Sequence, residues 1–291
     1  MRTEIIDAVE TLRENRADSV EQALVQLQGV ILSFSMKVCG NREDAEDTMQ
    51  ETLLQAASQL PHFDRSEALA LWLYKVARTR CLMSRRKSKF APKHTLSLER
   101  LLESQGNSAS ISRRNGSTPE EVTLRRERRE LLQQTVLKLP PQYRLPLVLH
   151  DMEDLSTKET AAALGIREGT VRVRLHRARL FLRNELERTS GQRRELPEAP
   201  QALSRKCKAV VAALSEYLDE RLDGEPCGEL EKHLRGCQMC QRLLAELQRT
   251  IEQCRQHQPG ARLKASACAR QTLLAEYRRV LDTLKGRRNG E

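Results

Sequence analysis

The stretch 154–187 constrains the fold most, because it combines a helix cap, a glycine turn and a second amphipathic helix. Ser156, followed three residues later by Glu159, is the pattern of a capping box. Gly165 can adopt the positive φ that a tight turn between two helices requires. The second helix repeats apolar residues at steps of four, three and four, which predicts one buried stripe. This stripe consists of Val171, Leu175, Ala178 and Leu182.

Arginines occupy the positions outside this stripe. An arginine-rich helix after a glycine turn is typical of helix-turn-helix proteins, which place the second helix in the major groove of DNA. A solvated basic helix in an ordinary bundle would carry the same charge, so this alternative stays open here. The helix-turn-helix interpretation explains the cap, turn, stripe and charge together. The arginines are Arg172, Arg174, Arg177, Arg179 and Arg183.

Composition favours an all-α chain with several domains. A length of 291 residues suits two or three small domains better than one. Aromatic residues make up only 3% of the chain, and no convincing alternating strand pattern is present. The net charge of +10 suits a polyanionic partner but does not prove one. We find neither a phosphate-binding loop nor paired catalytic carboxylates, and therefore expect no enzymatic activity.

The apolar pattern predicts a cytoplasmic protein that makes no membrane contact. No apolar run approaches the roughly 20 residues of a membrane span. The first residues also lack the basic-then-apolar pattern of a secretion signal. Eight cysteines in such a chain indicate reduced thiols or a metal site rather than a disulfide framework.

The first ninety residues predict a compact helical domain with one acidic and one basic helix. Residues 44–60 form an amphipathic pattern whose acidic side chains stay outside. Pro61 ends this helix, and Ser66 caps the next one, which extends to about Arg86 and becomes basic toward its end. A plain bundle with charges for solubility is the alternative at this point.

A cluster of metal-binding residue types lies near the carboxyl end. His233, Cys237 and Cys240 have the spacing H-x3-C-x2-C, and Cys207 supplies a fourth ligand if its helix packs against this turn. Three thiolates and one imidazole around tetrahedral Zn²⁺ would form a closed structural site. Reduced cysteines beside an unrelated histidine remain the alternative.

Two blocks of sequence resemble the extracytoplasmic-function group of the sigma-70 family. The first is similar to region 2 of these sigma factors and the second to region 4, in the family's order. With their flanks they cover most of residues 18–190. The first block comprises DAED at 44–47, QE at 50–51, FD at 63–64 and WLYKVAR at 72–78; the second comprises GTVR at 169–172 and RLHRAR at 174–179.

This resemblance implies a polymerase-binding surface and a −10 surface in the front domain. In the family the acidic helix binds a coiled coil of the β′ subunit of core RNA polymerase, and the β flap is a further partner. The resemblance assigns that role to Asp44, Asp47, Gln50 and Glu51. Loop 60–66 and the following helix would hold single-stranded promoter DNA, with Phe63 as a stacking group or a core residue. The phosphate-binding candidates are Arg78, Arg80, Arg85 and Arg86.

The resemblance also implies that some residues of the second helix contact DNA bases and that others contact phosphates. The candidates for reading the −35 element are Arg172, Val173, His176 and Arg177, with His176 either a DNA contact or a bystander. The candidates for phosphate contacts are Arg174, Arg179 and Arg183. Arg167 stands where the family often has a serine cap, so that helix start is less well capped.

The segment around the metal cluster resembles the zinc-binding anti-sigma domain, which is normally a separate protein. Here it is fused behind its own target, which implies an intramolecular contact with the sigma domains and regulation in cis. The amphipathic helix over 263–284 could pack on either sigma domain. Cys227, Cys254 and Cys268 are spare thiols, and a disulfide switch that involves them stays open.

We therefore predict an all-α sigma factor that binds core RNA polymerase and promoter DNA and holds structural Zn²⁺. A conventional helix-turn-helix regulator with a zinc protein-interaction module, or a redox-sensing zinc scaffold, is the alternative. The predicted divisions are a region 2-like domain at 1–88, a linker at 89–118, a region 4-like domain at 119–190, a linker at 191–202, a zinc domain at 203–257 and a final helix and tail at 258–291.

Overall fold

The computed structural model describes residues 3–14, 16, 18–87, 119–189, 204–219, 224–257 and 265–288. Every regular element in these ranges is helical, which confirms the predicted all-α class. None of the helices in the same ranges is long and apolar enough to cross a membrane. The predicted linkers at 89–118 and 191–202 lie outside the described residues, and the domain boundaries stay predictions.

The helices are named in chain order. They are α1 (Thr3–Arg13), α2 (Ser19–Cys39), α3 (Arg42–Ala57), α4 (Ser66–Lys87), α5 (Pro119–Lys138), α6 (Pro141–Leu147), α7 (Thr157–Leu164), α8 (Glu168–Thr189), α9 (Arg205–Leu218), α10 (Glu225–Gly236), α11 (Gln238–Gln256) and α12 (Ala267–Arg288). A 3₁₀ turn occupies Leu60–His62, and a π-helical turn occupies Val148–Met152.

The chain divides into two compact units. Unit 1 comprises Met1–Lys93, Glu153–Gly165 and Gln258–Glu291. Unit 2 comprises His94–Met152 and Ile166–His257. The long apolar helix α2 organises unit 1, because α1, α3 and α4 all pack against it. Its most deeply buried side chains include Leu24, Leu27, Ile31 and Phe34.

Local sequence explains the sharp turn between α2 and α3. Gly40 ends α2 in the left-handed conformation, with φ 91°, and its N–H bonds to the Met36 carbonyl. Asn41 then caps α3, because its side-chain oxygen accepts a 2.8 Å hydrogen bond from the Asp44 N–H. The two acidic residues in the first turn of α3 also suit the positive end of the helix dipole.

One pair of cysteines departs from the expectation of reduced or metal-bound thiols. A disulfide joins Cys39, at the end of α2, to Cys81 in α4. The crossing of these helices brings the two Cα atoms to 5.7 Å, which lies within the range a disulfide spans. Because the two cysteines are 42 residues apart in the sequence, this proximity could not be predicted from local sequence patterns.

The predicted capping box at the start of α7 is confirmed. The Ser156 hydroxyl accepts from the Glu159 N–H at 3.2 Å, and the Glu159 carboxylate accepts from the Ser156 N–H at 2.8 Å. Gly165 ends α7 with φ 65°, so the turn uses the backbone freedom that glycine provides. Within unit 1, α7 packs on α4, and Arg78 Nη1 donates to the Leu164 carbonyl at 2.8 Å.

Helix α8 is the central helix of unit 2, against which most of the others pack. Its predicted apolar stripe is confirmed, since Val171, Leu175, Ala178 and Leu182 are all buried. Helices α5 and α6 pack on α8 from the region 4-like segment. Arg144, itself buried, donates to the carbonyls of Leu137 and Leu139 and so satisfies acceptors at the end of α5.

Helices α9, α10 and α11 form the zinc module, which we define as residues 204–219 and 224–257. A small apolar cluster holds the module together. Within unit 2, α9 and α11 pack along α8, and α11 also touches the π-helical turn. The fully or nearly fully buried leucines of this cluster are Leu214, Leu230, Leu234 and Leu247.

Candidate functional site

The structure brings together the four predicted metal ligands. The ligand atoms of Cys207, His233, Cys237 and Cys240 all lie within 4.8 Å of one another. Cys207 Sγ is 3.6 Å from His233 Nε2 and 4.0 Å from Cys237 Sγ, and His233 Nε2 is 3.3 Å from Cys240 Sγ. Zinc bonds of about 2.3 Å to sulfur and 2.0 Å to nitrogen in a tetrahedron separate ligands by roughly 3.5–3.8 Å. The donor set therefore fits a closed Zn²⁺ site.

Three different helix segments supply these ligands. Cys207 is in the first turn of α9, His233 is in the last turn of α10, and Cys237 and Cys240 start α11. The Ser204 hydroxyl caps α9 and also donates to Cys207 Sγ at 3.1 Å. A donor of this kind orients a metal-binding thiolate from outside the ligand set.

The environment shifts the pKa values of two thiols of the cluster in opposite directions. Burial, followed by the neighbouring thiols of Cys237 and Cys207, raises the pKa of Cys240 to about 12. Hydrogen bonds, the largest from the Cys240 backbone, lower the pKa of Cys237. Several thiolates packed this closely repel one another, and a bound divalent cation would allow all of them to ionise.

Four polar residues form one continuous stripe on α8. Residues spaced by four, three and four lie on one helix face. We call this set the polar stripe; it consists of Arg172, His176, Arg179 and Arg183. Three of its members contact the zinc module within unit 2, so the stripe is the meeting surface of α8 with α9 and α11.

Arg179 makes the strongest of these contacts and is fully buried. Its Nε and Nη2 donate to Asp151 at 2.9 and 2.6 Å, and its Nη1 and Nη2 donate to Asp219 at 3.1 and 2.8 Å. The Arg179 guanidinium holds the pKa of Asp151 well below its ordinary value, despite the opposing effect of burial. Charge-assisted pairs with this geometry are among the strongest hydrogen bonds in proteins.

His176 and Arg183 complete the contact on either side. His176 Nδ1 lies 2.8 Å from the Ser215 hydroxyl of α9. Burial, followed by the positive charges of Arg179 and Arg177, lowers the pKa of His176. Arg183 Nε lies 3.0 Å from a Glu246 carboxylate oxygen of α11. The −35 and phosphate roles given to these residues remain predictions.

The other predicted DNA contacts on α8 are either exposed or half-buried. Val173 is 53% exposed, although it is apolar. Arg177 is exposed, with Nη1 3.4 Å from the Tyr143 hydroxyl, and Arg174 is half-buried. Arg172 is half-buried and lies 3.7 Å from Glu168 in the preceding turn. An exposed valine beside arginines suits a helix that can touch thymine methyl groups in a major groove.

The four predicted polymerase contacts lie on α3. Asp47 and Glu51 are exposed, whereas Asp44 and Gln50 are half-buried. Burial, followed by four neighbouring carboxylates, raises the pKa of Asp47. This side of α3 is therefore a concentrated negative surface, which suits a basic partner.

The start of α12 lies against the same helix within unit 1. Gln50 Nε2 donates to the Ala269 carbonyl at 3.3 Å. The Ser266 hydroxyl donates to a Glu46 carboxylate oxygen at 3.1 Å. Leu273 and Tyr277 are buried on the apolar face of α12. The sequence predicted that this helix could pack on either sigma domain; it packs on α3, and Arg278 Nη2 lies 2.7 Å from Glu21 of α2.

The predicted −10 residues are Phe63, which follows the 3₁₀ turn, and four arginines of α4. Phe63 and Trp72 are both half-buried, with ring centroids 5.9 Å apart in a tilted arrangement. Arg80 Nη1 lies 3.1 Å from the Glu51 carboxylate. Arg78 is half-buried and bonded to α7 as described above. The side chains of Arg85 and Arg86 lie outside the described part of the structure.

Sequence reasoning missed the partners that the tertiary structure supplies to the polar stripe. Ser215 lies 39 residues along the chain from His176, and Asp219 lies 40 residues from Arg179. Glu246 is more distant still from its partner Arg183. Only the amphipathic pattern of α9 and α11 could have indicated that each of these helices has one apolar and one polar face.

Family models match three parts of the chain. The model described as Sigma-70 region 2 matches residues 24–90, the model described as Sigma-70, region 4 matches residues 129–182, and a zinc-finger model matches residues 207–241. The zinc-finger match contains all four residues of the metal cluster. The order of the matches agrees with the order of the sequence blocks described above.

Curated relatives point to the same family. The chain is 33% identical over 156 residues to the ECF RNA polymerase sigma factor SigW of Bacillus subtilis, which covers 54% of this chain and 82% of that protein. It is 28% identical over 183 residues to the RNA polymerase sigma factor YlaC of the same organism, covering 61% of this chain and 97% of that protein. Together with the two sigma-region matches, these similarities show that the chain belongs to the extracytoplasmic-function group of RNA polymerase sigma factors.

Proposed function

We propose that this protein binds core RNA polymerase and directs it to specific promoters, and that its zinc module controls this activity in cis. The observation that carries the first part is the presence of both sigma regions in one chain, each with its own charged surface. The role is recruitment and DNA recognition rather than catalysis. It places the site of action in the cytoplasm, with the polymerase.

The front domain would supply the main polymerase contact and the −10 contact. The acidic side of α3 would bind the β′ coiled coil through Asp44, Asp47, Gln50 and Glu51. Phe63, beside Trp72, would face the unpaired −10 strand, and the basic end of α4 would hold its phosphates. The exposed part of α8 would read the −35 element, while the region 4-like domain would also meet the β flap.

Regulation in cis is supported by the contacts of the zinc module with the polar stripe. Arg179, a predicted phosphate contact, is fully buried beneath Asp219 of α9. His176, a predicted base contact, is bonded to Ser215. A DNA duplex cannot use side chains that another part of the chain already occupies. Promoter binding through this stripe therefore requires the zinc module to move away.

The contact of α12 with α3 supports the same proposal for the polymerase side. Gln50 is one of the four predicted polymerase contacts, and its amide is bonded to the Ala269 backbone. A helix tethered by the same chain competes at high effective concentration, so modest contacts suffice to occupy the surface. Zn²⁺ would hold the module's three helices in the shape that presents these contacts.

In vitro transcription with purified core polymerase tests the proposal. The full chain and a chain that ends at residue 202 are compared on a cognate promoter selected from a random library. We expect both to support promoter-specific transcripts and the shortened chain to be several-fold more active. Equal activity of the two chains would refute regulation in cis. A chain that binds duplex operators tightly but never captures polymerase would instead be a conventional regulator.

Charge reversal on α3 tests the polymerase surface separately. Asp47→Lys with Glu51→Lys should abolish capture of core polymerase, whereas Asp7→Lys with Glu10→Lys on α1 changes the net charge equally and should leave capture intact. Both α1 residues are exposed acids outside the predicted surface. Polymerase capture that survives the α3 reversal would show that α3 is not the docking helix.

A further inference from the structure

The guanidinium of Arg179 has two edges, and each is occupied by a different carboxylate. The edge formed by Nε and Nη2 binds Asp151 in the π-helical turn at 2.9 and 2.6 Å. The edge formed by Nη1 and Nη2 binds Asp219, at the end of α9, at 3.1 and 2.8 Å. A guanidinium edge that donates two hydrogen bonds to a carboxylate can donate the same pair of hydrogen bonds to a DNA phosphate.

One helical turn further along α8, a second arginine meets a second acid of the zinc module. Arg183 Nε lies 3.0 Å from a Glu246 oxygen of α11. Its Nη2 lies 3.5 Å from Glu187 of α8 itself. The module thus presents two negative groups, from two of its helices, to two successive arginines on one face of α8.

We propose that the zinc module imitates the DNA backbone, with the carboxylates of Asp219 and Glu246 occupying phosphate positions on Arg179 and Arg183. This inference rests on the proposed function, because it assumes that α8 enters promoter DNA. Duplex DNA and the module then compete for the same two guanidinium groups. Binding of one excludes the other without any change in α8 itself.

Asp151 gives this arrangement a property that mere burial of Arg179 by the zinc module would not have. When α9 leaves, Asp151 still holds the Nε edge of Arg179, so the guanidinium keeps its orientation and its other edge becomes free. A side chain held in this way loses little conformational entropy when it binds a phosphate. The two aspartates therefore have opposite effects on DNA binding. Asp151 orients the Arg179 guanidinium for a phosphate, and Asp219 occupies the edge that the phosphate would bind.

Phosphate contacts do not depend on base sequence, so the test needs no promoter. The probe is a fluorescent 30-base-pair duplex of random sequence, titrated with the full chain by anisotropy between 25 and 200 mM salt. Asp219→Asn with Glu246→Gln removes the two imitating charges and preserves side-chain size. We expect about tenfold tighter binding at 50 mM salt. The slope of log K against log[salt] should become more negative by about 1.8, because each freed phosphate contact contributes about 0.9.

Glu216→Gln with Glu252→Gln is the matched control. These residues lie on the same two helices, and the double substitution changes the net charge by the same amount. The control should bind the duplex within twofold of the unmodified chain, with an unchanged slope. Equal tightening in both double variants would show a general charge effect and overturn the proposal. So would an Asp219→Asn, Glu246→Gln chain that retains its zinc and helicity but binds no more tightly.

A second measurement uses the unmodified chain. Amide hydrogen exchange in α9 and α11 should increase when the 30-base-pair duplex is added to saturation, because the DNA displaces the module. Saturating duplex that leaves this exchange unchanged would contradict competition. If the chain ending at residue 202 gives more transcript than the full chain while the duplex experiments fail, only the proposal that the zinc module imitates DNA phosphates is wrong. If no chain gives promoter-specific transcripts, the proposed function itself fails.

Discussion

Lys37 and Glu153 form a buried ion pair, with 2.7 Å between Lys37 Nζ and Glu153 Oε1. The Tyr74 hydroxyl donates to the other carboxylate oxygen of Glu153 at 2.7 Å. Lys37 lies in α2 and Tyr74 in α4, whereas Glu153 precedes α7. The pair therefore joins the residues before the helix-turn-helix to the core of unit 1.

Replacing only one residue of this ion pair should lower the free energy of unfolding more than replacing both. Glu153→Met removes the carboxylate that lies 2.7 Å from the buried Lys37 ammonium, and we expect a loss of about 3–5 kcal/mol in the free energy of unfolding. Glu153→Met combined with Lys37→Met should recover most of that loss, since both charges of the pair are then replaced by apolar groups. Tyr74→Phe should cost about 1 kcal/mol. Urea unfolding followed by circular dichroism measures all three, and a double variant no more stable than Glu153→Met would show that the charges are not coupled.

Zinc removal should unfold the zinc module selectively. A chelator, or Cys240→Ser, would take away the Zn²⁺ that we expect to join α9, α10 and α11, whose own apolar cluster is small. We expect one equivalent of zinc in the unmodified chain and less than a fifth of that in Cys240→Ser, with loss of helical signal. Cys227→Ser, outside the ligand set, should retain its zinc. Full zinc content in Cys240→Ser would exclude Cys240 from the site.

Acid should loosen the contact between α8 and α9 through His176. The folded environment lowers the pKa of His176 below its ordinary 6.5. The imidazole packed against α9 is therefore protonated only at a lower pH than the same imidazole in the unfolded chain. This stabilisation is present above pH 6.5 and is lost as the pH falls through the lowered value. Amide exchange in α9 should therefore rise between pH 7 and 5, after correction for intrinsic rates. The rise should be smaller in His176→Gln, and identical profiles would exclude His176 as the sensor.

Displacing α12 should uncover the predicted polymerase-binding surface of α3. Leu273 is fully buried, so Leu273→Asp places a charge in an apolar contact and should release the helix. We expect several-fold more core polymerase captured at limiting concentration. Ala275→Asp is the control, because residue 275 is exposed on the same helix. If both substitutions raise capture equally, the gain comes from added negative charge, and α12 is not a cover.

Local sequence determined most of the helices and their ends. The capping box at Ser156 and Glu159, the glycine at 165 and the buried stripe of α8 all depend on neighbours within a few residues, where spacing and side-chain chemistry suffice. Three of the four candidate metal ligands, His233, Cys237 and Cys240, were also identifiable from their H-x3-C-x2-C spacing, whereas the contribution of Cys207 depended on the packing of its helix.

Long-range relationships were decided by the tertiary structure alone. The resemblance to sigma region 4 made Arg179 a candidate phosphate contact. Only the packing of α9 on α8 supplied Asp219, 40 residues away, and only the π-helical turn supplied Asp151. The Cys39–Cys81 disulfide and the contact of α12 with α3 arose in the same way. Local periodicity specifies which face of a helix is buried, but which partner covers a polar face depends on complementarity between distant segments, which no local pattern encodes.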